Sequence, residues 1–501
     1  MRPQASSIET GSLIGSSFVQ GRGATLILRD PSTQEEVAKV ASVLEQDVDH
    51  AVGLATEAQI RYYELGPEHW ASKLNKLADL IDEHAQELAA LDAICGGRPI
   101  CMAADIPIAS KTIRLCASQA ILHHGQTSQQ QGDALSFTLR EPFGVCAGKP
   151  FLPENPTGSR ELNKLWRSTA ICPWNVPVVL CAAKLAPALA AGNAIILKPS
   201  ERSPLSITFL AKLALAAGFP PGLVQVLHGT GDVGAWLASH PKIRRIAFTG
   251  STATGRKIVK LAADSNLKKV TLELGGKGAA VVFDDVPDLD RAVQEIAFSV
   301  SWITGQMCMA QTRIYVQSGI ADRFVEAFKA HFLNCPVGDP FDAKTIMGPI
   351  IDQRGMNQVN DFLQQARKEG ATISQGSVPS GKGFFMPPTI LQGLKQTSNV
   401  MTGEIFGPVT HISTSKTEEE AIQLANDTEF GLYNCVYTKD GARGLRCARR
   451  ISAGIVGVNT SPPNFDISLP FGGVRQSGWG KEWGPDSLDE WTETKSVCFK
   501  M

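Results

Sequence analysis

Cys308 and Glu273 are the two side chains whose types and surroundings best suit covalent chemistry. Cys308 follows a stretch with helical apolar spacing and comes shortly after Gly305, which lets the backbone approach a bound molecule. A thiol reacts as its thiolate, a form that helix ends and backbone N–H groups favour. Glu273 ends an apolar strand and precedes two glycines. A cysteine nucleophile with a carboxylate base indicates covalent catalysis; a buried structural cysteine and a solvated glutamate are the alternatives.

Asn175 is the candidate for stabilising negative charge. It stands in the run Pro-Trp-Asn and offers a side-chain amide to a developing oxyanion, although turn asparagines are common without such a role. The loops 404–408 and 469–473 each carry an aromatic residue beside glycine. Either loop lines a cleft or forms a packed turn.

A cofactor site is suggested by Gly250, Ser251 and Gly255, which join a strand to a helix. Backbone N–H groups at such a junction bind phosphate, and a plain helix cap is the alternative. One strand earlier, Lys198 and Glu201 offer an ammonium and a carboxylate suited to a ribose diol, unless they are only solvated charges. A carboxylate there would repel a 2′-phosphate, which favours NAD over NADP.

Alternating strand and helix patterns position these residues. Between residues 194 and 274 short apolar strands alternate with helices, which predicts a doubly wound parallel sheet with ligands at the carboxyl ends of its strands. Antiparallel strands are expected over 11–39 and helices over 44–123. A second alternation follows Cys308, with a strand at 314–317 and a helix at 321–332. The tail, 496–500, suits an edge strand that pairs with another element or subunit.

Composition narrows the class of protein. The chain has 501 residues, 43% of them hydrophobic, and a formal net charge of −1, so nothing favours nucleic acid or an anionic membrane as a partner. No signal peptide or membrane-spanning run is apparent. Eleven cysteines without framework spacing indicate free thiols in a reducing compartment, and His123-His124 has no further metal ligand at a suitable spacing. We expect a cytoplasmic enzyme without a metal.

Seven motifs together resemble those of the aldehyde dehydrogenase superfamily, in the same order and over nearly the whole chain. They are PWN at 173–175, KPSE at 198–201, FTGS at 248–251, ELGGK at 273–277, GQxC at 305–308, EIFGP at 404–408 and PFGG at 470–473. The resemblance implies an α/β fold with a doubly wound Rossmann-like cofactor domain, an α/β catalytic domain and a small β oligomerisation element. The implied parts are an N-terminal part of the cofactor domain (1–134), oligomerisation strands (135–148), an insertion (149–169), the NAD-binding domain (170–273), the catalytic domain (274–478) and a C-terminal oligomerisation segment (479–501).

The resemblance also implies a mechanism. Cys308 adds to an aldehyde, Asn175 and a backbone N–H hold the alkoxide, and hydride transfer to NAD leaves a thioester. Glu273 is then the general base for hydrolysis to the carboxylic acid. The cofactor-binding residues implied are Lys198, Ser200, Glu201, Gly250, Ser251, Gly255, Leu274, Gly275, Glu404 and Phe406.

Substrate and assembly are less defined by the residues. Apolar side chains near the expected pocket favour an apolar or aromatic aldehyde; they are Val176, Trp302, Met307, Met309 and Phe471. The strand at 136–145 and the tail strand resemble the elements through which family members form homodimers or homotetramers. A CoA-acylating enzyme is a further reading of the same fold, but Glu273 argues against it.

Two departures from the family pattern stand out. Ile303 occupies a position where the family usually has Asn. The segment 149–169 has no counterpart in the family, and we interpret it as a retained intron that could be removed in frame; a surface loop is the alternative. If the segment is translated, it interrupts the strand that positions Asn175, and the chain could bind cofactor without turnover.

Overall fold

The computed structural model describes residues 2–3, 8–128, 134–143, 167–464 and 466–500. The N-terminal elements are β1 (Ser12–Ile14), β2 (Ser17–Val19), β3 (Thr25–Arg29), β4 (Glu36–Ala41), α1 (Glu45–Glu64), α2 (Pro67–Glu83), α3 (Ala85–Gly96), α4 (Asp105–Leu122), β5 (Thr127–Ser128) and β6 (Ala134–Pro142). The helical stretch expected up to residue 95 is thus three helices, and the third ends where Gly97 adopts a left-handed conformation.

A strand–helix alternation follows, as the sequence predicts. Its elements are β7 (Arg167–Ile171), α5 (Pro177–Ala190), β8 (Ile195–Lys198), α6 (Leu205–Ala216), β9 (Val224–Val226), α7 (Gly231–Ser239), β10 (Ile243–Thr249), α8 (Thr252–Ser265) and β11 (Lys269–Glu273). Strand β7 begins inside the segment interpreted as an insertion. Its first three residues therefore belong to the sheet, whereas residues 149–166 lie outside the described part of the chain.

The remaining elements build a second α/β unit and the tail. They are β12 (Ala279–Val282), α9 (Leu289–Ser301), β13 (Arg313–Gln317), α10 (Ala321–Phe332), α11 (Gln353–Lys368), β14 (Thr372–Gln375), β15 (Thr389–Gln392), α12 (Asn399–Thr402), β16 (Val409–Ser415), α13 (Glu418–Asn426), β17 (Tyr433–Tyr437), α14 (Gly441–Arg450), β18 (Ile455–Val458), β19 (Gly478–Trp479) and β20 (Thr492–Lys500). Helix α10 has the bounds expected from its apolar spacing.

Two large sheets organise these elements. Among the described residues, the first has the strand order β19-β11-β10-β7-β8-β9-β1-β2, and the second has the order β14-β15-β16-β13-β12-β17-β18. In the first sheet β11, β10, β7, β8 and β9 run parallel, and β1 joins antiparallel to β9. Strands β8 and β9 lie on one side of β7, and β10 and β11 lie on the other. This reversal of strand order creates a crevice at the carboxyl ends of β7 and β10, where ligands of such sheets bind.

Helix α5 is buried along its whole length, which explains why its sequence is almost entirely apolar. It packs against α4, α2 and α6, and it begins at Pro177, a residue favoured in the first turn because it lacks an N–H to satisfy. Asn175 stands just before this start and is therefore held at the edge of the sheet.

The tail strand β20 pairs antiparallel with β6 of the same chain, from Thr492 opposite Pro142 to Lys500 opposite Ala134. The pairing of the tail with another element, one of the two partners expected from the sequence, is confirmed within the chain. Among the described residues, no helix is both long and apolar enough to cross a membrane.

Candidate active site

A cleft of about 390 Å³ lies at the carboxyl ends of β8, β10 and β11 and reaches Cys308. It gathers all the site residues expected from the sequence except Glu273 and Gly255. The expected residues that line it are Asn175, Lys198, Ser200, Glu201, Gly250, Ser251, Leu274, Gly275, Cys308, Glu404 and Phe406. Residues separated by more than 200 positions in the chain thus share one cavity.

The segment before Cys308 has an unusual backbone. Helix α9 ends at Ser301. Shortly after it, three consecutive residues have positive φ: Ile303 (45°), Thr304 (59°) and Gly305 (67°). A side chain on Gly305 would collide with the backbone oxygen of Gly407. β-branched residues rarely adopt positive φ, whereas Asn does so more readily. The family's usual Asn at position 303 therefore suits this backbone better than Ile.

The Cys308 thiol is partly buried, and its environment disfavours the thiolate. Burial is the largest cause of its raised pKa, and the Glu404 and Glu273 carboxylates add to the effect. The N–H groups of Cys308 and Met309 act in the opposite direction but are outweighed. The expected support from a helix end is absent, because α9 presents its carboxyl end, which carries negative partial charge.

Asn175 and Gln306 fix the loop that carries Cys308. The Asn175 amide donates to the Gln306 backbone oxygen at 3.0 Å. The Gln306 side chain accepts from the Ile351 N–H at 2.9 Å and donates to the Ile303 oxygen at 3.1 Å. Gln306 is not among the site residues predicted from the sequence, although its place in the GQxC motif is a signal for such a role.

Glu273 lies at the end of β11 but does not line the cleft. Its carboxylate rests against the turn at Gly472 and Gly473, where a side chain on Gly472 would come within 2.6 Å of Oε1. Burial and the nearby Glu482 raise the pKa of Glu273 well above its ordinary value, against the lowering effects of Lys184 and Lys481. Within the described residues, Oε2 has no hydrogen-bond partner.

Lys184 and Glu482 form a buried ion pair next to Glu273. Lys184 lies on α5 and Glu482 lies 298 residues later in the chain. The sequence interpretation assigned neither residue to the site, because only the fold brings them together.

The phosphate and ribose side of the cleft is formed by β8 and by the start of α8. The Ser251 hydroxyl caps α8 by accepting from the Thr254 N–H at 3.3 Å. The Lys198 ammonium donates to the Pro199 oxygen at 3.0 Å and lies 3.4 Å from a Glu201 oxygen. Burial lowers the pKa of Lys198.

Gly255 lies outside the cleft lining and lets α8 pack on β11. A side chain there would come within 2.8 Å of the Leu274 methyl group. Its cofactor role is therefore at most indirect, through close helix–strand packing. Thr249, which the sequence interpretation did not select, lines the cleft with a buried hydroxyl that has no partner among the described residues.

Glu404 and Phe406 form the opposite wall. The Glu404 carboxylate accepts from the Gly276 N–H at 2.8 Å, and burial raises its pKa to about 7 against the effect of Lys277. Phe406, with φ of 59°, stands edge-on to Trp174 with 5.4 Å between ring centroids.

The five apolar residues expected at the substrate pocket are all buried, and none of them lines the cleft. They are Val176, Trp302, Met307, Met309 and Phe471. Trp302 donates its indole N–H to the Met102 oxygen at 3.2 Å.

Comparison with known proteins agrees with this geometry. Residues 18–148 and 167–497 match the aldehyde dehydrogenase family model. An aldehyde dehydrogenase of Alternaria alternata is 38% identical over 507 residues, covering 100% of this chain and 97% of the relative. The chain belongs to the aldehyde dehydrogenase family.

Two bacterial aldehyde dehydrogenases are also similar to this chain. The Escherichia coli (strain K12) NADP/NAD-dependent aldehyde dehydrogenase PuuC is 39% identical over 477 residues, covering 94% of this chain and 92% of the relative. The solved structure of a mutant P. syringae indole-3-acetaldehyde dehydrogenase, in complex with NAD+ and IAA, has a TM-score of 0.91 and 33% identity. The match covers 99% of this chain and 98% of the P. syringae chain.

Family membership confirms the resemblance inferred from the seven motifs, the α/β fold and the class of enzyme, an aldehyde dehydrogenase. The family match stops at residue 148 and resumes at residue 167, where β7 begins. The unmatched stretch therefore ends three residues before the boundary expected from the sequence.

Proposed function

We propose that this aldehyde dehydrogenase oxidises an aldehyde to its carboxylic acid with NAD as the acceptor, and that Cys308 is the nucleophile. The supporting observation is that Cys308 and Asn175 line the same cleft and are tied together through Gln306. A nucleophile and an oxyanion donor held at one cavity are the minimum needed for covalent acyl chemistry.

Cys308 attacks the aldehyde carbon to form a thiohemiacetal. The side-chain amide nitrogen of Asn175 carries two N–H groups. One of them donates to the Gln306 backbone oxygen, so the second remains for the developing alkoxide. The backbone N–H of Cys308 adds a second donor. Loss of hydride leaves a thioester on Cys308.

Glu273 is the general base that activates water for thioester hydrolysis. Its pKa is raised above the ordinary value, chiefly by burial, which makes its carboxylate a stronger base than that of an exposed glutamate. The side chain has to turn from the Gly472–Gly473 turn toward Cys308 to reach that water. Its charge already affects the Cys308 pKa, which supports the proximity of the two groups.

The cleft residues fit a nicotinamide dinucleotide, which when bound supplies the hydride acceptor. Gly250, Ser251 and the start of α8 offer N–H groups to a pyrophosphate. The Thr249 hydroxyl, which has no partner among the described residues, adds a donor. The remaining contacts would come from Lys198, Ser200 and Glu201 toward the ribose and from Leu274, Gly275, Glu404 and Phe406 toward the nicotinamide end.

NAD is preferred to NADP in this proposal because Glu201 lies beside Lys198 on the cleft. A carboxylate hydrogen-bonds a ribose diol and repels a 2′-phosphate. The E. coli relative is named for both cofactors, so the preference has to be measured by comparing kcat/KM with each.

The substrate is an apolar or aromatic aldehyde. The apolar residues expected near Cys308 do not line the cleft, but the apolar side chains of Trp174, Leu180 and Phe406 do. The P. syringae relative is named for an aldehyde that bears an indole ring.

The active form is a homodimer or homotetramer located in the cytoplasm. Strands β6 and β20 leave Leu135, Leu139 and Phe499 exposed, and β20 is an edge strand among the described residues. Edge strands with apolar residues favour pairing with another chain. Sedimentation analysis tests the oligomeric state.

The described cysteines are free thiols, which supports a reducing compartment such as the cytoplasm.

The deciding experiment measures NADH formation by the chain as written over a panel of aliphatic and aromatic aldehydes. Turnover that disappears in Cys308→Ala supports the proposal and shows that the segment 149–166 is tolerated. Cofactor binding without turnover would instead support a catalytically impaired homologue. Recovery of turnover on deleting 149–169 or 149–166 would identify the segment as the cause and favour a retained intron.

A further inference from the structure

Thr304 ties the segment before Cys308 to a second loop, residues 348–351, which leads into α11. The Thr304 hydroxyl donates to the Gly348 backbone oxygen at 2.9 Å, across 44 residues of sequence. Thr304 is only 1% exposed, so little water competes for this bond. It does not line the cleft, and it is not among the site residues predicted from the sequence.

The backbone at Thr304 adopts a conformation that has to be held by its surroundings. Ile303 and Thr304 both have positive φ, and both are β-branched, a class of residue in which this conformation is strongly disfavoured. Strained conformations persist only where neighbouring contacts fix them. The Gln306 N–H donates to the Ile303 oxygen at 3.1 Å, but that bond lies within the segment itself. The bond to Gly348 instead ties the segment to another part of the fold.

The loop 348–351 is itself anchored on two sides. Gly348 packs so closely on the end of α3 that a side chain there would collide with the Gly97 backbone oxygen. At the other end of the loop, the Ile351 N–H donates to the Gln306 side chain at 2.9 Å. The segment that precedes the cysteine is therefore connected to α3 through a short series of close contacts.

We propose that Thr304 is a positioning residue, whose hydroxyl holds the strained segment 302–307 so that the Cys308 sulfur is aimed at the aldehyde carbon. The inference rests on the proposed function, in which Cys308 is the nucleophile. Asn175 binds the same segment at the Gln306 backbone oxygen, and Thr304 holds it from a separate part of the fold. Misplacement by about 1 Å can cost roughly 100-fold in rate, so a small relaxation of this segment should reduce turnover.

The test compares three variants of the full chain: Thr304→Val, Thr304→Ser and Thr112→Val. Valine keeps the shape of threonine but removes the hydroxyl donor, whereas serine keeps the donor. Thr112 is a buried threonine on α4 whose hydroxyl has no partner among the described residues, so its valine variant is the matched control. If Thr304→Val does not fold, Thr304→Ala removes the same donor with less bulk.

Two measurements are made on each variant. Hydrogen–deuterium exchange of the peptide 302–309 reports the order of the segment, because the Gln306 N–H is bonded within it. Steady-state NADH formation gives kcat and the KM for NAD.

Thr304→Val should exchange faster in the peptide 302–309, with unchanged exchange in α10, and its kcat should fall by about tenfold or more. The KM for NAD should stay unchanged, because Thr304 does not line the cleft. Thr304→Ser and Thr112→Val should match the unsubstituted chain in both measurements. A lower kcat at constant KM, restored by serine, is a result that a general loss of stability would not give.

Unchanged exchange in Thr304→Val would overturn the proposal, and so would a serine variant that behaves like the valine variant. Faster exchange with a normal kcat would overturn the positioning role, since the hydroxyl would then order the segment without affecting the reaction. The exchange measurement does not depend on turnover. Absence of turnover in the unsubstituted chain would therefore contradict the proposed function, while the exchange still tests whether Thr304 holds the segment.

Discussion

The side-chain amide of Asn175 donates to the backbone oxygen of Gln306 across 131 residues of sequence, with 3.0 Å between the two atoms. This bond joins the start of helix α5 to the loop that carries Cys308. One contact thus positions both the proposed oxyanion donor and the proposed nucleophile, and a change at Asn175 should affect both.

Replacement of Asn175 by Ala should lower kcat by roughly 100- to 1000-fold, because one oxyanion donor is lost. The measurement is steady-state NADH formation with a saturating aldehyde. Asn334→Ala, at an exposed asparagine that does not line the cleft, should leave kcat unchanged. An Asn175 variant with normal kcat would show that the amide has no catalytic role.

The rate should rise as pH increases. Cys308 and Glu273 both have a raised pKa, and in the proposed mechanism each acts in its deprotonated form, so the rate increases as pH rises through each pKa. In Glu482→Gln a negative charge beside Glu273 is removed, which lowers the pKa of Glu273. For an aldehyde whose thioester hydrolysis limits the rate, the rising limb of the pH profile of kcat should then shift to lower pH, and an unshifted profile would contradict this assignment.

Replacement of Lys184 by Met should destabilise the fold by about 3–5 kcal/mol, because Glu482 is left buried without its partner. The double variant Lys184→Met with Glu482→Leu removes both charges and should recover much of that loss. Urea unfolding followed by tryptophan fluorescence measures both. Equal losses in the single and double variants would show that the ion pair is not the cause.

Replacement of Gly305 by Ala should abolish NADH formation, since the new methyl group meets the Gly407 backbone oxygen in addition to the strain of positive φ. Gly393→Ala is the matched control, because Gly393 also has positive φ, 85°, but open space around it. The control should lose only about 1–2 kcal/mol of stability. Similar behaviour of the two variants would mean that the close approach to Gly407 does not matter.

Replacement of Glu201 by Gln should raise kcat/KM for NADP relative to NAD. The expected change is several-fold, since a single charge interaction near the protein surface contributes roughly 1 kcal/mol or somewhat more. Glu369→Gln, at an exposed carboxylate at the end of α11, serves as a control for net charge. An unchanged ratio would place the cofactor preference elsewhere in the cleft.

Short-range patterns in the sequence determined most of the fold and the members of the site. Helix α10 was expected at its observed bounds, because apolar spacing and end signals are local properties. The strand–helix alternation from 194 to 274 predicted the parallel sheet and the edge where ligands bind. The motifs around Cys308, Asn175 and Glu404 then identified residues that do line one cleft.

The tertiary structure alone decided the electrostatics and the supporting contacts. Glu273 rests on the turn at Gly472–Gly473, beside an ion pair whose two members come from distant segments, and no local pattern encodes that meeting. The backbone N–H groups that lower the pKa of Cys308 are outweighed, because burial and two carboxylates together raise it. Burial and charge depend on which distant residues surround a group, whereas periodicity and caps depend only on its neighbours in the chain.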